Sequence, residues 1–577
     1  MNNSFAHSFR QRFPLINNPV NGRNIIYFDN GATTQKPINV IEALDLYYRK
    51  YNSNVHRAAH SLSATATSQF EQTRQQLQRF INAKSTKEII WTSGTTASIN
   101  LVATSWGESF LTKGDEIVLS VAEHHANIVP WQQVAAKTGA VIRYLELDAN
   151  GRYKPSELDT MITAKTKLVS ISHCSNVTGK ITDVDAVIAK ARSVGAKTLL
   201  DGAQFIAHKR IDVQQLDCDF YVFSAHKMFG PTGVGVLYGK QRLLEQMPPI
   251  NFGGEMIKKV TLQETTFNQL PYKFEAGTPN IAGIIAFSAA ISLVAQTTDE
   301  THELSGFEHY EQQLTNYCYN KLLAIKALNF VVDGEPDIPV FSFNLLGHHQ
   351  QDVASFLDAK GIAVRAGHHC AMPLIQYLDL EGCIRVSLCP YNTLSEVDNL
   401  IDALTEFLAL ADSPGSSDTT IPSKTKLPNT GESIKEPCVD STAQIDATTR
   451  IIDNFRKAKG WDGKHREIML LGKTLPRLAK QYRNDDTLIS GCESKAWLQM
   501  KQGDDGLVYL VADSDARVVR GLLAIVLAAY NGKSAQQIKK FDVAGYFEKL
   551  GLMQHLSPSR GNGLNAIIDK IVNASVN

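Results

Sequence analysis

The apolar run Phe220-Tyr221-Val222-Phe223 ends in Ser224-Ala225-His226-Lys227 and then in the turn residues Gly230-Pro231-Thr232-Gly233. An amine at the end of a buried strand is pushed toward its neutral form, the form that condenses with an aldehyde. Read alone, the motif is equally a surface lysine in a strand-end turn. Its neighbours shift that balance, because several other apolar runs also end in reactive polar groups.

Ile117-Val118-Leu119-Ser120 is followed by Glu123-His124-His125-Ala126-Asn127, and Val169-Ser170-Ile171-Ser172 by His173 and Asn176. Thr198-Leu199-Leu200 leads into Asp201-Gly202-Ala203-Gln204, and Ile89-Ile90-Trp91-Thr92 into Ser93-Gly94-Thr95-Thr96 and a helical stretch. Together these groups ask for one kind of ligand. Lys227 supplies the amine, Asp201 suits a protonated pyridine nitrogen, Gln204 suits a ring oxygen, and His124 suits the flat face of a ring. Thr96, Ser224 and His226, with the free N–H groups at a helix start, suit a phosphate. That set describes pyridoxal 5′-phosphate, and no metal is needed.

The elements that must hold these groups are strands alternating with helices, which predicts a largely parallel sheet covered on both faces. Open α/β sheets bind ligands past the carboxyl ends of their strands, where every one of these motifs falls. A length of 577 residues predicts roughly three to four domains. The 58 basic and 58 acidic residues balance, which gives no electrostatic footprint for nucleic acid or an anionic membrane. The apolar stretch 521–530 is too short to span a bilayer, and residues 1–14 lack the apolar core of a secretory signal. A cytoplasmic protein is the default expectation. Eight cysteines without a C-x-x-C pair form neither a disulfide framework nor a zinc or cluster site. Cys174, Cys218 and Cys318 read as small core residues; Cys370, in Arg365-Ala366-Gly367-His368-His369-Cys370, and Cys492, in Ser490-Gly491-Cys492-Glu493-Ser494, have reactive-looking surroundings.

The expected organisation is a large cofactor-binding domain at 24–297, a small domain made of 1–23 and 298–411, a linker at 412–445 and a C-terminal α+β unit at 446–577. The linker is rich in Ser, Thr, Pro and Gly and has no sustained period. Flexible, it would span on the order of 30 to 35 Å.

Residues 28–410 resemble a group II cysteine desulfurase of the SufS/CsdA type, a fold-type-I pyridoxal phosphate enzyme. The resemblance rests on His56-Arg57, Gly94-Thr95-Thr96, the segment Glu123 to Trp131, Asp201-Gly202-Ala203-Gln204, Ser224-Ala225-His226-Lys227, Phe274-Glu275-Ala276-Gly277-Thr278-Pro279-Asn280 and the Cys370 motif. Ala225 stands where that family usually has glycine. The resemblance implies a homodimer with sites at the subunit interface and Thr278 reaching the partner's cofactor phosphate. It implies cofactor contacts from Thr95, Thr96, His124, Asn176, Asp201, Gln204, Ser224, His226 and Lys227. It also implies substrate contacts from His56, Arg57, Asn176 and Arg365, with Arg385 as the clamp on the substrate carboxylate. Residues 446–577 resemble the SufE/CsdE sulfur acceptors, through the region around Cys492 and through His555-Leu556-Ser557-Pro558-Ser559-Arg560-Gly561. Glu493 stands where glutamine is more usual.

The expected chemistry is conversion of L-cysteine to L-alanine, with Lys227 moving the Cα proton and Cys370 taking the sulfur as a persulfide. Cys492 would then receive it, for a downstream iron–sulfur scaffold or sulfur acceptor protein. Other pyridoxal phosphate enzymes, such as a selenocysteine lyase or an aminotransferase, would share Lys227, Asp201 and His124, and only the two cysteines argue for sulfur mobilisation. A non-enzymatic scaffold would have no use for Lys227 or Cys370.

Overall fold

Seven short, largely apolar strands make the large sheet: β1 (Ile89–Thr92), β2 (Glu116–Ser120), β3 (Val141–Leu145), β4 (Thr166–Ser172), β5 (Lys197–Asp201), β6 (Phe220–Ser224) and β7 (Gly235–Gly239). Their order across the sheet is β1-β7-β6-β5-β4-β2-β3. Neighbours run parallel except around β7, which is antiparallel to both β1 and β6. Strand β6 is buried at every residue, as a strand covered on both faces must be. The sheet is mixed rather than purely parallel. Even so, the carboxyl ends of β1, β2, β4, β5 and β6 share one edge, and this brings together segments that are far apart in sequence.

This computed structural model describes residues 3–19, 24–297, 306–412, 441–458, 460–489, 494–552, 556 and 558–574. The loop after β1 leads into helix α1 (Thr95–Val102). It lies so close to the start of β7 that a Cβ on Gly235 would come within 2.3 Å of the Gly94 backbone. Only glycine lets the loop settle beside Ser224. The apolar helix α2 (Ile281–Thr297) carries the buried Ala286, Phe287, Ala290 and Ile291 into the main core.

A second sheet contains β8 (Leu328–Phe330), β9 (Val340–Leu345), β10 (Arg365–Gly367) and β11 (Cys383–Ser387), in the order β8-β9-β11-β10. The antiparallel register of β10 and β11 sets Arg365 directly opposite Arg385. The amino-terminal segment joins here: Ile26–Tyr27 pairs in parallel with Ile362–Ala363, and Asp29 bridges to Ser387.

The chain divides into two compact units, Met1–Asn344 with Gly361–Ile401, and Leu345–Lys360 with Asp402–Asn577. The second contains helices α3 (Gln350–Ala359), α4 (Ser441–Lys457), α5 (Gly460–Thr474), α6 (Arg517–Tyr530) and α7 (Pro558–Ala574), and the antiparallel hairpin of β12 (Ala496–Gln502) and β13 (Leu507–Ser514). Phe455, Ile468, Leu498, Leu523, Val526 and Ile571 belong to its core. Helices α5 and α6 cross at two glycines, where a Cβ on Gly472 would lie 2.1 Å from the Arg517 carbonyl oxygen and one on Gly521 2.0 Å from that of Ile468. Helix α4 begins within the stretch read from sequence as linker, and residues 413–440 lie outside the described residues. Among the described residues, no helix is long and apolar enough to cross a membrane.

Candidate active site

Lys227 ends the short turn Ala225–Lys227 that follows β6. Burial pushes its ammonium down to about 8; the charges of Arg385 and Arg365 act in the same direction, and Asp201 and Cys370 oppose them. Near neutral pH a useful fraction of the amine is therefore free. Asp201, the last residue of β5, is 5% exposed and accepts the Ala203 N–H at 2.9 Å. Burial lifts its carboxyl above the usual range, while the Ala203 bond and the Lys227 charge hold it back.

His124 stands past β2, and its Nδ1 accepts the Ala126 N–H at 3.0 Å, which leaves the proton on Nε2. Burial, helped by the Lys227 charge, pushes its imidazole down to about 4, so the ring is neutral. The preceding Glu123 is fully buried. It accepts from Ser120 Oγ at 2.6 Å, Ser172 Oγ at 2.6 Å, Asn127 Nδ2 at 2.7 Å and the Ser172 N–H at 3.0 Å, and so ties the ends of β2 and β4 together. Ser224 Oγ accepts the Thr95 N–H at 2.8 Å and lies 2.7 Å from Thr95 Oγ1; Thr96 is exposed beside them at the start of α1. The Nδ1 of His226 lies 3.2 Å from Thr33 Oγ1. Its carbonyl accepts from Lys36 Nζ at 2.8 Å, and burial pushes that lysine down to about 7. Gln204 donates to the Gly31 carbonyl at 2.7 Å.

Cys370 is exposed and lies in a strained loop, with φ of 53° at His369 and 54° at Cys370. Two successive non-glycine residues in the left-handed region are costly, and they persist only where surroundings hold them. His125 does much of the holding: its N–H donates to the Cys370 carbonyl at 2.7 Å, and its Nε2 accepts the Met372 N–H at 3.0 Å. Asn176 Nδ2 donates to the His369 carbonyl at 2.8 Å, and the His369 ring bonds the Cys383 carbonyl through Nε2 at 3.0 Å. The two arginines of the β10–β11 pair share Asp29. Arg365 reaches it at 2.8 Å and Arg385 at 3.1 Å, and this anion offsets the repulsion of like charges set opposite each other. Arg385 is 2% exposed, donates to the Asn176 carbonyl at 3.1 Å, and has a buried Nε without a hydrogen-bond partner.

Pyridoxal 5′-phosphate fits this donor set. There is an amine shifted toward its free base, a buried carboxylate coupled to it, a neutral imidazole, and a hydroxyl-lined loop at a helix amino terminus where a close glycine contact leaves room for nothing bulkier.

Lys227, Asp201, His124, Gln204, Ser224, Thr95, Asn176, Arg365, Arg385 and Cys370 thus gather at one sheet edge and the adjoining small sheet. Thr96 follows Thr95 at the start of α1 and His226 precedes Lys227 in its turn, whereas His56, Arg57 and Thr278 lie elsewhere in this chain. His56 (φ 71°) bonds Glu71 at 3.0 Å, and Arg57 pairs with Glu255 at 2.9 Å. Thr278 is exposed in a loop whose base, Glu275, is held by the buried Arg74 and the Trp91 N–H. Ser490, Gly491, Cys492, Glu493, His555 and Ser557 lie outside the described residues. Asp29, Glu123, His125 and Lys36 were not singled out from sequence. The polar turn Asp29-Asn30-Gly31 after a strand was the visible sign of the first, and the doubled histidine of the third.

Residues 26–400 match the family model described as aminotransferase class-V, and residues 449–575 match that of the SufE Fe-S metabolism associated domain. The chain is similar to a probable cysteine desulfurase of Halalkalibacterium halodurans, 49% identical over 399 residues that cover 69% of this chain and 97% of that protein. It is 47% identical to a cysteine desulfurase of Escherichia coli over 397 residues, 68% of this chain and 96% of the other. Among solved structures it is similar to the cysteine desulfurase CsdA from Escherichia coli (TM-score 0.65, 39% identity, 70% of this chain and 98% of that one). It is also similar to the apo cysteine desulfurase of Thermococcus onnurineus NA1 (TM-score 0.66, 36% identity, 70% and 98%).

Proposed function

The chain belongs to the class-V aminotransferase family, as a cysteine desulfurase carrying a C-terminal SufE-type domain, and on that premise we propose that it moves sulfur from L-cysteine to Cys370 and then to its own kind of acceptor thiol, Cys492. The observation that supports this reading best is the convergence, at one sheet edge and the adjoining small sheet, of the buried Lys227 after β6, the buried Asp201 at the end of β5 and the exposed Cys370 in its strained loop.

Pyridoxal 5′-phosphate, when bound, supplies an aldehyde carbon for the amine and a ring that takes up the electron pair left at the substrate Cα. Lys227 would hold its aldehyde, Asp201 its ring nitrogen, Gln204 its ring oxygen and His124 its face. Thr95, Thr96, Ser224 and His226, with Thr278 contributed from a second subunit, would hold its phosphate. Lys227 Nζ takes the Cα proton, which a group titrating near 8 can accept and return. The substrate carboxylate is bound by Arg385, with Asn176 and Arg365 beside it and with His56 and Arg57 contributed, like Thr278, from a second subunit. A planar guanidinium buried beside its own counter-ion is already oriented for that task.

The thiolate of Cys370 then attacks the substrate sulfur. An S–S bond forms as the Cβ–S bond breaks, its electron pair stays with carbon, and Cβ takes up a proton on the way to alanine. The strained loop held by His125 and Asn176 presents the thiol at the surface, where a second nucleophile can reach it. In the next step the Cys492 thiolate attacks the outer sulfur and Cys370 leaves as a thiolate, so atoms and electrons balance without an added oxidant. Fusion in one chain gives the acceptor an effective concentration that approaches millimolar. The sulfur then passes to an iron–sulfur scaffold or another acceptor. The catalytic unit is a homodimer.

The test is the mass of each cysteine-bearing peptide after one turnover with L-cysteine. Sulfur is expected on Cys370 and Cys492 in the native protein, on Cys370 alone in Cys492→Ser, and on neither in Cys370→Ser. Sulfur on Cys492 in the Cys370→Ser protein would overturn the order of transfer.

A further inference from the structure

Helix α6 (Arg517–Tyr530) begins badly by its own sequence. Its N-cap is Ala516, which makes no side-chain cap, and its first turn holds no acidic residue and begins with Arg517. Alanine is among the poorest caps, and a cation at the amino terminus opposes the helix dipole. Helices of this length need their first N–H groups satisfied. In this structure the partner comes from the family region of the chain: Asp352 accepts the Arg517 N–H at 2.7 Å and the Val518 N–H at 2.8 Å.

Asp352 is 5% exposed, which an unpaired carboxylate would not tolerate. The helix that carries it, α3 (Gln350–Ala359), is buried along two stripes. One is Val353 and Leu357, and the other is Asp352, Ser355 and Ala359. At 3.6 residues per turn the stripes lie roughly 150° apart. A helix at the edge of a single domain needs only one buried stripe. Asp352, on the second stripe, is the residue that bonds the start of α6. His349, the residue before α3, adds a further approach, with Nε2 3.9 Å from Asp515.

We propose that α3 is a docking surface for the acceptor domain and that Asp352 is its anchor, supplying the cap that the acceptor domain's own sequence omits. The occupant is residues 515–523 of this chain, and the recognition is that of a carboxylate for an uncapped, Arg-bearing helix start. Helix α3 and the acceptor helices then belong to one compact unit, joined by this cap as well as by the chain. The consequence for sulfur delivery rests on the relay proposed above; the dock itself does not.

Hydrogen exchange of the full-length protein tests the dock. In Asp352→Ala the amides of Arg517 and Val518 should exchange roughly tenfold faster, the loss expected when a charge-assisted hydrogen bond is removed, and the milder Asp352→Asn should fall between. Alanine formation from cysteine with excess dithiothreitol as sulfur acceptor reports an intact desulfurase region and should be unchanged. Unchanged exchange at 517 and 518 in both variants would overturn the proposal. So would an equal rise throughout the acceptor domain in Asp352→Asn, which would mark a general fold defect. Sulfur on Cys492 after one turnover provides the second readout and should fall several-fold in both variants. Faster exchange with no sulfur on Cys492 even in the native protein would leave the dock standing and remove the relay. Normal loading with unchanged exchange would do the reverse.

Discussion

Both halves of the chain bury a charged centre, and the two centres are built on opposite plans. Burial does most to lower the Lys227 ammonium, to about 8; Arg385 and Arg365 press the same way, and Asp201 and Cys370 offset only part of it, so the lysine is left short of compensation. Asp513, at the end of the acceptor hairpin and fully buried, has a surplus. Arg520 lies 2.6 Å from it, Arg483 2.9 Å and Arg477 3.5 Å, and it also accepts from the Leu478 and Ser514 N–H groups. A centre kept short of partners exchanges protons easily, which is what chemistry requires. A centre with every lone pair occupied is fixed in one state and serves to hold elements together. The acceptor domain therefore keeps this ionic centre structural, and the reactive group proposed for it is a thiol, Cys492.

Exchanging each charge for a neutral group breaks the comparison most sharply. Lys227→Ala should lower alanine formation by at least ~10³-fold, as loss of a residue acting in both bond formation and proton transfer does, with the acceptor domain's hydrogen exchange untouched. Asp513→Ala leaves up to three guanidinium groups without their anion. It should destabilise the acceptor domain by about 3–5 kcal/mol while alanine formation with a small-thiol acceptor stays near native. Exchange across residues 496–514 and the rate of alanine release read the two effects separately. A loss of alanine formation in Asp513→Ala would show that the acceptor domain supports the first chemistry as well as the second.

A pH profile sharpens the Lys227 side. Only the free amine captures an aldehyde, so the rate at which cofactor-free protein takes up pyridoxal 5′-phosphate should rise about tenfold per pH unit and level off near pH 8, where the lysine titrates. Asp201 raises that value, so Asp201→Asn should move the plateau to lower pH. A plateau displaced toward the ordinary lysine range would mean that the site is solvated.

Much of this architecture was readable from sequence. Asp201, His124 and Lys227 are adjacent because parallel strands end on a common edge, a consequence of topology that strand-and-helix alternation already implies. What stayed hidden depends on register or on partners hundreds of residues away. The Arg365–Arg385 pairing follows from one antiparallel register, and Asp29 reaches both from the amino terminus. The start of α6 at Arg517 depends likewise on a cap from Asp352, 165 residues away in sequence, whereas the helix Ser61–Phe80 is capped locally by the His60 ring. Local rules locate caps supplied by the neighbouring residue and miss those supplied by a distant one.

Glu123 stands between the two plans, because it is buried like Asp513 but has hydroxyl and amide partners in place of arginines. Burial lifts its carboxyl to about 7, with bonds from Ser120, Ser172 and Asn127 limiting the rise. In the unfolded chain it returns to about 4.3. Between those values the folded protein binds the extra proton, so this group takes stability away as pH climbs through that window, and the loss is complete above 7. Glu123→Gln stays neutral throughout. Relative to the native protein it should therefore gain about 1–3 kcal/mol on going from pH 4.5 to pH 8, read as the change in urea midpoint at the two pH values. Alanine formation should fall only a few-fold, since one amide oxygen replaces two carboxylate oxygens in the turn that presents His124. If the difference between the two proteins is the same at both pH values, Glu123 keeps one protonation state across the window, and it belongs with Asp513 among the charges that hold the fold.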